Sequence, residues 1–242
     1  NDGLERMNPS ARQRTVWLGL AAVLAVALLG RALLLASGAV SFHSDEAVVA
    51  LMARHILYGE RPVFFYGQAY MGSLDPWLVA FGFSLFGESV QTIRLVQSAL
   101  YLGVVAASYG AAFVLSGRAS VAVIAGLPLA VPNVLVALYT TATLGGYNET
   151  LLLGALMILL GFPIRRGGAG LWRWALIGLF AGLGWWTNAL IAVYVLPLAV
   201  LLLVRLWHGR SEGARLLIGP VVALGAFALG SAGGTAGPPA SG

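Results

Sequence analysis

The chain has 242 residues, of which 59% are hydrophobic and only 10% charged. A soluble domain carries about 25% charged residues, so a surface facing water on all sides is excluded and lipid must cover much of the exterior. There is no cysteine, which excludes disulfides and thiolate metal sites, and the net charge of +5 rests on arginine alone, since no lysine occurs. The arginines flank apolar runs and form no patch with exposed aromatics, so the basic balance reads as membrane topology and not as nucleic-acid binding.

The first apolar run, 16–37, follows Arg6, Arg12 and Arg14. It is long enough to cross a hydrocarbon core of roughly 30 Å at about 1.5 Å per residue. We expect a retained signal-anchor helix here, with cleavage near Ala36-Ser37-Gly38 as the alternative. Residues 38–90 then form a long outer loop with helical patterns of its own. Ser44 is expected to cap a helix beginning at Asp45, with Val49, Met52 and Ile56 on one face and Arg54 and His55 turned away. That helix is too short to span and suits the interface. The following RPVFFYGQAYMG is aromatic and interrupted by glycine, and reads as an irregular loop. Asp75-Pro76 opens a second short helix, Trp77 to Phe86, with proline in its first turn.

Further spans are expected at 91–115, 119–138, 149–163, 172–187, 189–206 and 215–231, the 149–163 run being short. The expected fold is therefore all-α: a polytopic transmembrane bundle of about seven spans with two juxtamembrane helices in the first outer loop. It forms one domain over 1–231, followed by a low-complexity tail at 232–242. With the N-terminus in the cytoplasm, alternation puts Arg6, Arg12, Arg14, Arg118, Arg165, Arg166, Arg173, Arg205, Arg210 and Arg215 inside. Only Arg31, Arg54, Arg61 and Arg94 fall outside, together with most of the acids. This arginine bias predicts a multi-pass protein of the plasma (inner) membrane with loop 38–90 extracytoplasmic.

The densest polar cluster is His43-Ser44-Asp45-Glu46. Acids favour helix N-termini by about 0.3–1 kcal/mol, which accounts for the pair without any chemistry. Yet acids are few in this chain, and these two open an apolar helix at the membrane surface, where a carboxylate can act as general base on a hydroxyl. His43 and His55, twelve positions apart with one outside the helix, lack the spacing of metal ligands, and no metal or cofactor is expected. Glu149 stands at an outer turn, either facing a cavity or stabilising a helix start; Asn148-Glu149-Thr150 is formally a glycosylation sequon. Trp185, Trp186 and Asn188 occupy another outer turn, where tryptophan seats at the interface.

The stretch FHSDEAVVALMARHILYGERPVFFYGQAYMGSLDPWLVAFGFSLFGESVQTIRLVQSALYLGVV resembles the N-terminal core of GT-C membrane glycosyltransferases. The nearest branch holds the protein O-mannosyltransferases, the aminoarabinose transferase of lipid A and the Rgt-type enzymes. The matching elements are Asp45-Glu46, Gly59-Glu60, Gly87-Glu88 and Arg94-Leu95. The resemblance covers residues 16–115 and continues weakly through Tyr147-Asn148-Glu149 and Gly184-Trp185-Trp186-Thr187-Asn188. It implies transfer of a sugar from a polyprenyl phosphate in the outer leaflet to an acceptor hydroxyl, with inversion. Asp45 would be the base and Glu46 its companion. The lipid phosphate leaving group needs positive charge, for which Arg94, at the family position, Arg54 and Arg61 are candidates. His43, Tyr66, Gln68, Tyr70, Glu149 and Asn188 complete the expected cavity, with interface seating the alternative role for Tyr66, Gln68 and Tyr70.

The implied partners are the lipid-linked donor, membrane lipids and an acceptor lipid, glycan or protein, with no nucleic acid. The aminoarabinose transferase has a basic residue in its second juxtamembrane region, where this chain reads Tyr66-Gly67-Gln68-Ala69-Tyr70. Its Asp-Glu is followed by Ala-Arg-Tyr, where this chain has Ala47-Val48-Val49, so phosphate binding must use other groups here. Family members usually carry more spans and a C-terminal soluble domain, so the resemblance is to the N-terminal portion of such an enzyme. Two other expectations stand beside it: an incomplete, non-catalytic fragment, and a transporter or lipid flippase. Transporters commonly show repeats and mid-membrane ionisable residues; no repeat is visible here, and the ionisable groups fall near span ends. Loop 38–90 is expected to pack over the ends of later spans and form a cavity, with Asp45 pointing in and Arg94 close by.

Overall fold

The computed structural model describes residues 9–165, 170–208 and 215–234. Asp2, Glu5, Arg6, Arg166, Arg210, Glu212 and positions 235–242 of the expected tail lie outside the described residues, as do the side chains of Arg165, Arg205 and Arg215.

The described residues form helices α1 (Pro9–Ser37), α2 (Ser44–Leu57), α3 (Leu74–Phe86), α4 (Val90–Ser116), α5 (Ala119–Ala130), α6 (Val134–Tyr139), α7 (Tyr147–Arg165), α8 (Leu171–Thr187), α9 (Ala192–His208) and α10 (Arg215–Ser231). One antiparallel hairpin, β1 (Phe64–Phe65) and β2 (Gln68–Gly72), lies between α2 and α3. The protein is thus a helical one, and three helices, α1, α4 and α7, are long and apolar enough to cross a membrane. α3, α5 and the stretches Ala189–Val204 and Leu217–Ser231 are apolar but shorter.

Three expectations are corrected. The run 119–138 is not one helix: it breaks at Val131-Pro132-Asn133 into α5 and α6. Proline drives the residue before it out of the helical region, and the Asn133 Oδ1 then accepts the Val136 N–H at 3.0 Å, capping a new helix. The segment expected as an irregular loop is the hairpin, turning at Tyr66-Gly67, where Gly67 adopts φ of 76°. The cap of α2 is His43 and not Ser44. The His43 ring Nδ1 accepts the Asp45 N–H at 3.3 Å, and the Glu46 carboxylate accepts the His43 N–H at 3.1 Å, closing a capping box.

α1 packs on α4 and α5 around Val23, Tyr101, Val105 and Tyr109. The tyrosine hydroxyls donate to carbonyls of neighbouring helices, Tyr101 to Leu129 at 2.7 Å and Tyr109 to Val16 at 2.8 Å. α8 and α10 meet backbone to backbone: a Cβ on Gly178 would stand 2.0 Å from the Ala223 carbonyl oxygen, and one on Gly230 2.5 Å from that of Leu179. Small residues permit such approach where no hydrophobic drive separates helix from lipid.

The connection between α1 and α4 forms a cap with its own core. Val49, Met52 and Ile56 of α2 bury against Phe65 and Met71 of the hairpin, Val79 and Phe83 of α3, and Ile93 of α4. Arg54 is exposed and His55 half-buried, as the helical pattern predicts. The cap also docks on α8: the Trp186 indole donates to the Val63 carbonyl at 3.0 Å, and Gly72 leaves room for the same ring. At the far end, the Arg12 guanidinium donates to the Gly117 carbonyl at 2.9 Å. α1 has 29 residues, a rise of about 43 Å at 1.5 Å each, so the Asp45 cap and the Arg12 end lie at opposite ends of the bundle.

Gly178→Ala should lower the thermal midpoint of the detergent-solubilised protein, because its Cβ meets a carbonyl with nowhere to move; overpacking costs about 1–3 kcal/mol. Gly225→Ala, whose Cβ meets nothing within 4 Å, should leave the midpoint unchanged or raise it, by at most about 1 kcal/mol of helix propensity.

Candidate active site

Under the cap lies a cavity of about 750 Å³ built from four parts of the chain. Ala39, Val40, Ser41, His43 and Asp45 come from the α1–α2 connection and the start of α2. The hairpin supplies Phe65, Gln68, Tyr70 and Met71. Leu138, Tyr139, Ala142, Leu144 and Tyr147 come from α6 and the turn into α7, and Asn188 and Leu190 follow α8. Two glycines with positive φ, Gly145 (84°) and Gly146 (81°), make the turn before α7. A Cβ on Gly146 would stand 2.6 Å from Thr187 and one on Gly145 2.7 Å from the Met71 methyl, and at both positions the left-handed backbone itself calls for glycine.

The capping box divides the labour of the acidic pair. Asp45 keeps 41% of its side chain exposed and lines the cavity, with His43 Nδ1 3.6 Å from its Oδ2. Glu46, the next residue, turns the other way and is fully buried. Its oxygens face Arg94 of α4, with Nε to Oε1 at 3.3 Å and Nη2 to Oε2 at 3.4 Å. The expected neighbourhood of Asp45 and Arg94 is replaced by this pairing: Arg94, whose side chain is 12% exposed, is held by Glu46 and does not line the cavity.

The remaining sequence candidates divide in the same way. Gln68, Tyr70, His43 and Asn188 line the cavity. Asn188 also caps the turn after α8, its Oδ1 accepting the Leu190 N–H at 3.0 Å. Tyr66 does not line it: its hydroxyl donates to Glu60 at 3.0 Å and lies 2.9 Å from His55 Nδ1, pinning the hairpin to α2. Burial, and then the Glu60 carboxylate, push the Tyr66 hydroxyl pKa up. Arg54 pairs with Glu88 at 3.0 Å on the surface. Arg61 is exposed, and Glu60 faces His55 and Tyr66.

Glu149 does not line the cavity: it is buried beside Asp75, its carboxylate oxygens without a hydrogen-bond partner among the described residues, next to a polar network that sequence reasoning missed. The Gln97 side-chain amide donates to Asp75 Oδ1 at 2.8 Å, and the Thr143 hydroxyl donates to Oδ2. The Asn148 amide donates to the Gln97 carbonyl at 2.7 Å and to its Oε1 at 3.0 Å. Burial raises the Asp75 carboxyl pKa, against the hydrogen bonds that Thr143 and its neighbours give it. Asp75 reads as a helix-start acid and Asn148 as part of a sequon; only their shared burial gives them away. Arg31, near the outer end of α1, is buried: it donates to the Thr140 carbonyl at 3.0 Å and to the Thr140 and Thr141 hydroxyls, with its guanidinium 4.0 Å from the Tyr101 ring centre.

Beside the polar cavity runs an apolar groove of about 320 Å³ lined by Leu135, Val136, Leu151, Val193 and Tyr194 among others. Tyr139, Tyr147 and Leu190 line both, and the two tyrosine rings meet edge to face at 5.3 Å. Among the described residues no group of three or more histidines and acids is arranged to hold a metal ion. The polar lining is one carboxylate, one imidazole, two carboxamides and several hydroxyls. That set can hydrogen-bond a polyol, and its carboxylate can take a proton from a hydroxyl. No family model matches the chain, and neither a curated protein nor a solved structure matches it.

Glu46→Gln or Arg94→Met should each destabilise the protein by about 3–5 kcal/mol, because either leaves an unanswered buried group. The double variant should recover part of that loss in a thermal or denaturant unfolding series in detergent.

Proposed function

We propose that this chain is a GT-C-type glycosyltransferase that moves a sugar from a polyprenyl-phosphate donor to an acceptor hydroxyl, with inversion and with Asp45 as general base. One observation carries it: the carboxylate that the family resemblance selects lines a polar cavity that adjoins an apolar groove, the two sharing Tyr139, Tyr147 and Leu190 in their walls. An amphiphile with a polyol head and a hydrocarbon chain fits that shape, and a lipid-linked sugar is such an amphiphile. Asp45 accepts the acceptor's proton as its oxygen attacks the anomeric carbon, and the lipid phosphate departs with the bonding pair. Gln68, Asn188 and the tyrosines orient the head by hydrogen bonds, and Glu46 holds α2 in register from behind. In this proposal the bundle crosses the plasma (inner) membrane about seven times, and the Asp45 end faces away from the cytoplasm.

The buried Asp75–Glu149 pair favours a second reading, a proton- or ion-coupled translocator of the same lipid, since acids buried among apolar helices often serve relays.

With purified protein and a short-chain polyprenyl-phosphate sugar, Asp45→Asn should lower turnover by about 10²–10⁴-fold while leaving expression and thermal midpoint intact. Unchanged turnover would exclude Asp45 as the base. Movement of the lipid across liposomes without glycosidic bond formation would favour the translocator. Sidedness has its own test, since the chain has no cysteine: Ser41→Cys should react with a membrane-impermeant maleimide on whole cells, and Ser10→Cys only after lysis. The reverse pattern would place Asp45 in the cytoplasm and end the proposal.

A further inference from the structure

Arg31 is a buried cation that no described carboxylate answers. It is 4% exposed, and the described ion pairs assign Glu46 to Arg94 and Glu88 to Arg54 and leave Arg31 without an acid. Its partners are neutral: the Thr140 carbonyl, the Thr140 and Thr141 hydroxyls, and the face of Tyr101. The two hydroxyls give their protons back to their own helix, Thr140 to the Val136 carbonyl at 2.5 Å and Thr141 to the Ala137 carbonyl at 2.7 Å. Their lone pairs are thereby turned to the guanidinium. Such a site orients the cation but does not neutralise it, and a charge held in a low-dielectric interior is costly unless an opposite charge comes near.

The position of the guanidinium says where that charge would come from. Thr140, which it binds directly, lines the apolar groove. Tyr139, one residue before, lines both groove and cavity, and Ala142, two residues after, lines the polar cavity. Arg31 therefore stands one side chain behind the junction of the two spaces, and no arginine lines either of them. In an amphiphile with its head in the cavity and its chain in the groove, the linking atoms lie at that junction. In a lipid phosphate those atoms are the phosphate, the anion that guanidinium groups favour.

We propose that Arg31, held in place by Thr140 and Thr141, is the positioning residue whose charge fixes the phosphate of a lipid-phosphate ligand at the junction of cavity and groove. That the ligand is the sugar donor rests on the function proposed above; the attraction for a lipid-borne phosphate does not.

The test uses the purified full chain in a neutral detergent with geranylgeranyl phosphate, geranylgeraniol and dihexanoyl phosphatidate, read as the shift in thermal midpoint with ligand concentration. Wild type should bind the isoprenoid phosphate at least ten-fold more tightly than the alcohol. Arg31→Met should abolish that preference and Arg31→Lys should keep most of it, a pattern that loss of packing alone does not produce. If Arg31→Met fails to fold, Thr140→Val, which removes one hydroxyl and keeps the charge, should narrow the preference several-fold. Equal binding of phosphate and alcohol by wild type overturns the inference, as does an undiminished preference in Arg31→Met or, where that variant fails to fold, in Thr140→Val. Phosphatidate binding as tightly as the isoprenoid phosphate upholds the role of Arg31 and moves the phosphate's source to bilayer headgroups. An Arg31-dependent preference without any sugar transfer sinks the glycosyltransferase and leaves the inference standing. Transfer that depends on Asp45 with an unaltered donor KM in Arg31→Met does the opposite.

Discussion

Glu46 meets three demands with one carboxylate: it closes the capping box at the His43 N–H, it answers Arg94 across the interface with α4, and it does both with no solvent contact. In a low-dielectric setting such a pair tolerates little displacement, because separating the partners exposes each to the full cost of a buried charge. α2 is therefore fixed in rotation about its axis as well as in position. That rotation decides which way the preceding residue points. With Glu46 turned toward α4, Asp45 at the neighbouring position faces the hairpin and the α6–α7 turn, which are the walls of the cavity.

The two acids of the first turn of α2 thus differ in their surroundings: Glu46 is buried against Arg94, and Asp45 stays partly exposed in the cavity wall. The pairing of the buried acid sets the direction in which the exposed one points. The same division recurs among the arginines. Arg94 and Arg54 spend their charge on Glu46 and Glu88, while Arg31 faces hydroxyls and a ring. A cation already bound to a carboxylate has little field left for a ligand. Arg94 and Arg54 are neutralised by the protein, and Arg31, among the described residues, is not.

Much of the fold was legible because lipid leaves a coarse signature. α4, α7, α8 and α10 fall within two residues of the runs 91–115, 149–163, 172–187 and 215–231, since each apolar run is bounded by arginine, glycine or a capping residue. The face of α2 was legible because Val49, Met52 and Ile56 repeat at helical spacing. The break at Pro132 was hidden because Val131 and Val134 keep the hydropathy high across it; length alone overrode the proline. The hairpin was hidden because the residues that bury it, Phe65 and Met71, find their partners on α2, α3 and α4, far away in sequence. At the site, Asp45, His43, Gln68, Tyr70 and Asn188 were reached from motif and position, whereas Asp75, Gln97, Thr143 and Asn148 were not. Asp75 and Asn148 stand at helix starts, Gln97 lies two turns inside α4 and Thr143 in the α6–α7 connection, and only the crossing of α3, α4 and α7 joins them.

That crossing also explains why so much buried polarity is tolerated at one end of an apolar bundle. A single buried amide or acid among lipid-facing helices costs several kcal/mol unless it finds a partner. Gln97 serves as donor to Asp75 and acceptor from Asn148 at once, which offsets the desolvation of those groups, whereas Asn148 Oδ1 and both Glu149 oxygens stay buried without a hydrogen-bond partner among the described residues. The network ties Thr143 and Asn148, on either side of the Gly145-Gly146 turn, to α3 and α4. A chain of fixed dipoles there makes the wall carrying Tyr147 rigid, as the Thr140–Arg31 contacts do for the wall carrying Tyr139. The two tyrosines that join polar cavity to apolar groove are thus each backed by a buried polar anchor, which is how a bundle held mainly by nondirectional packing can present a mouth of fixed shape.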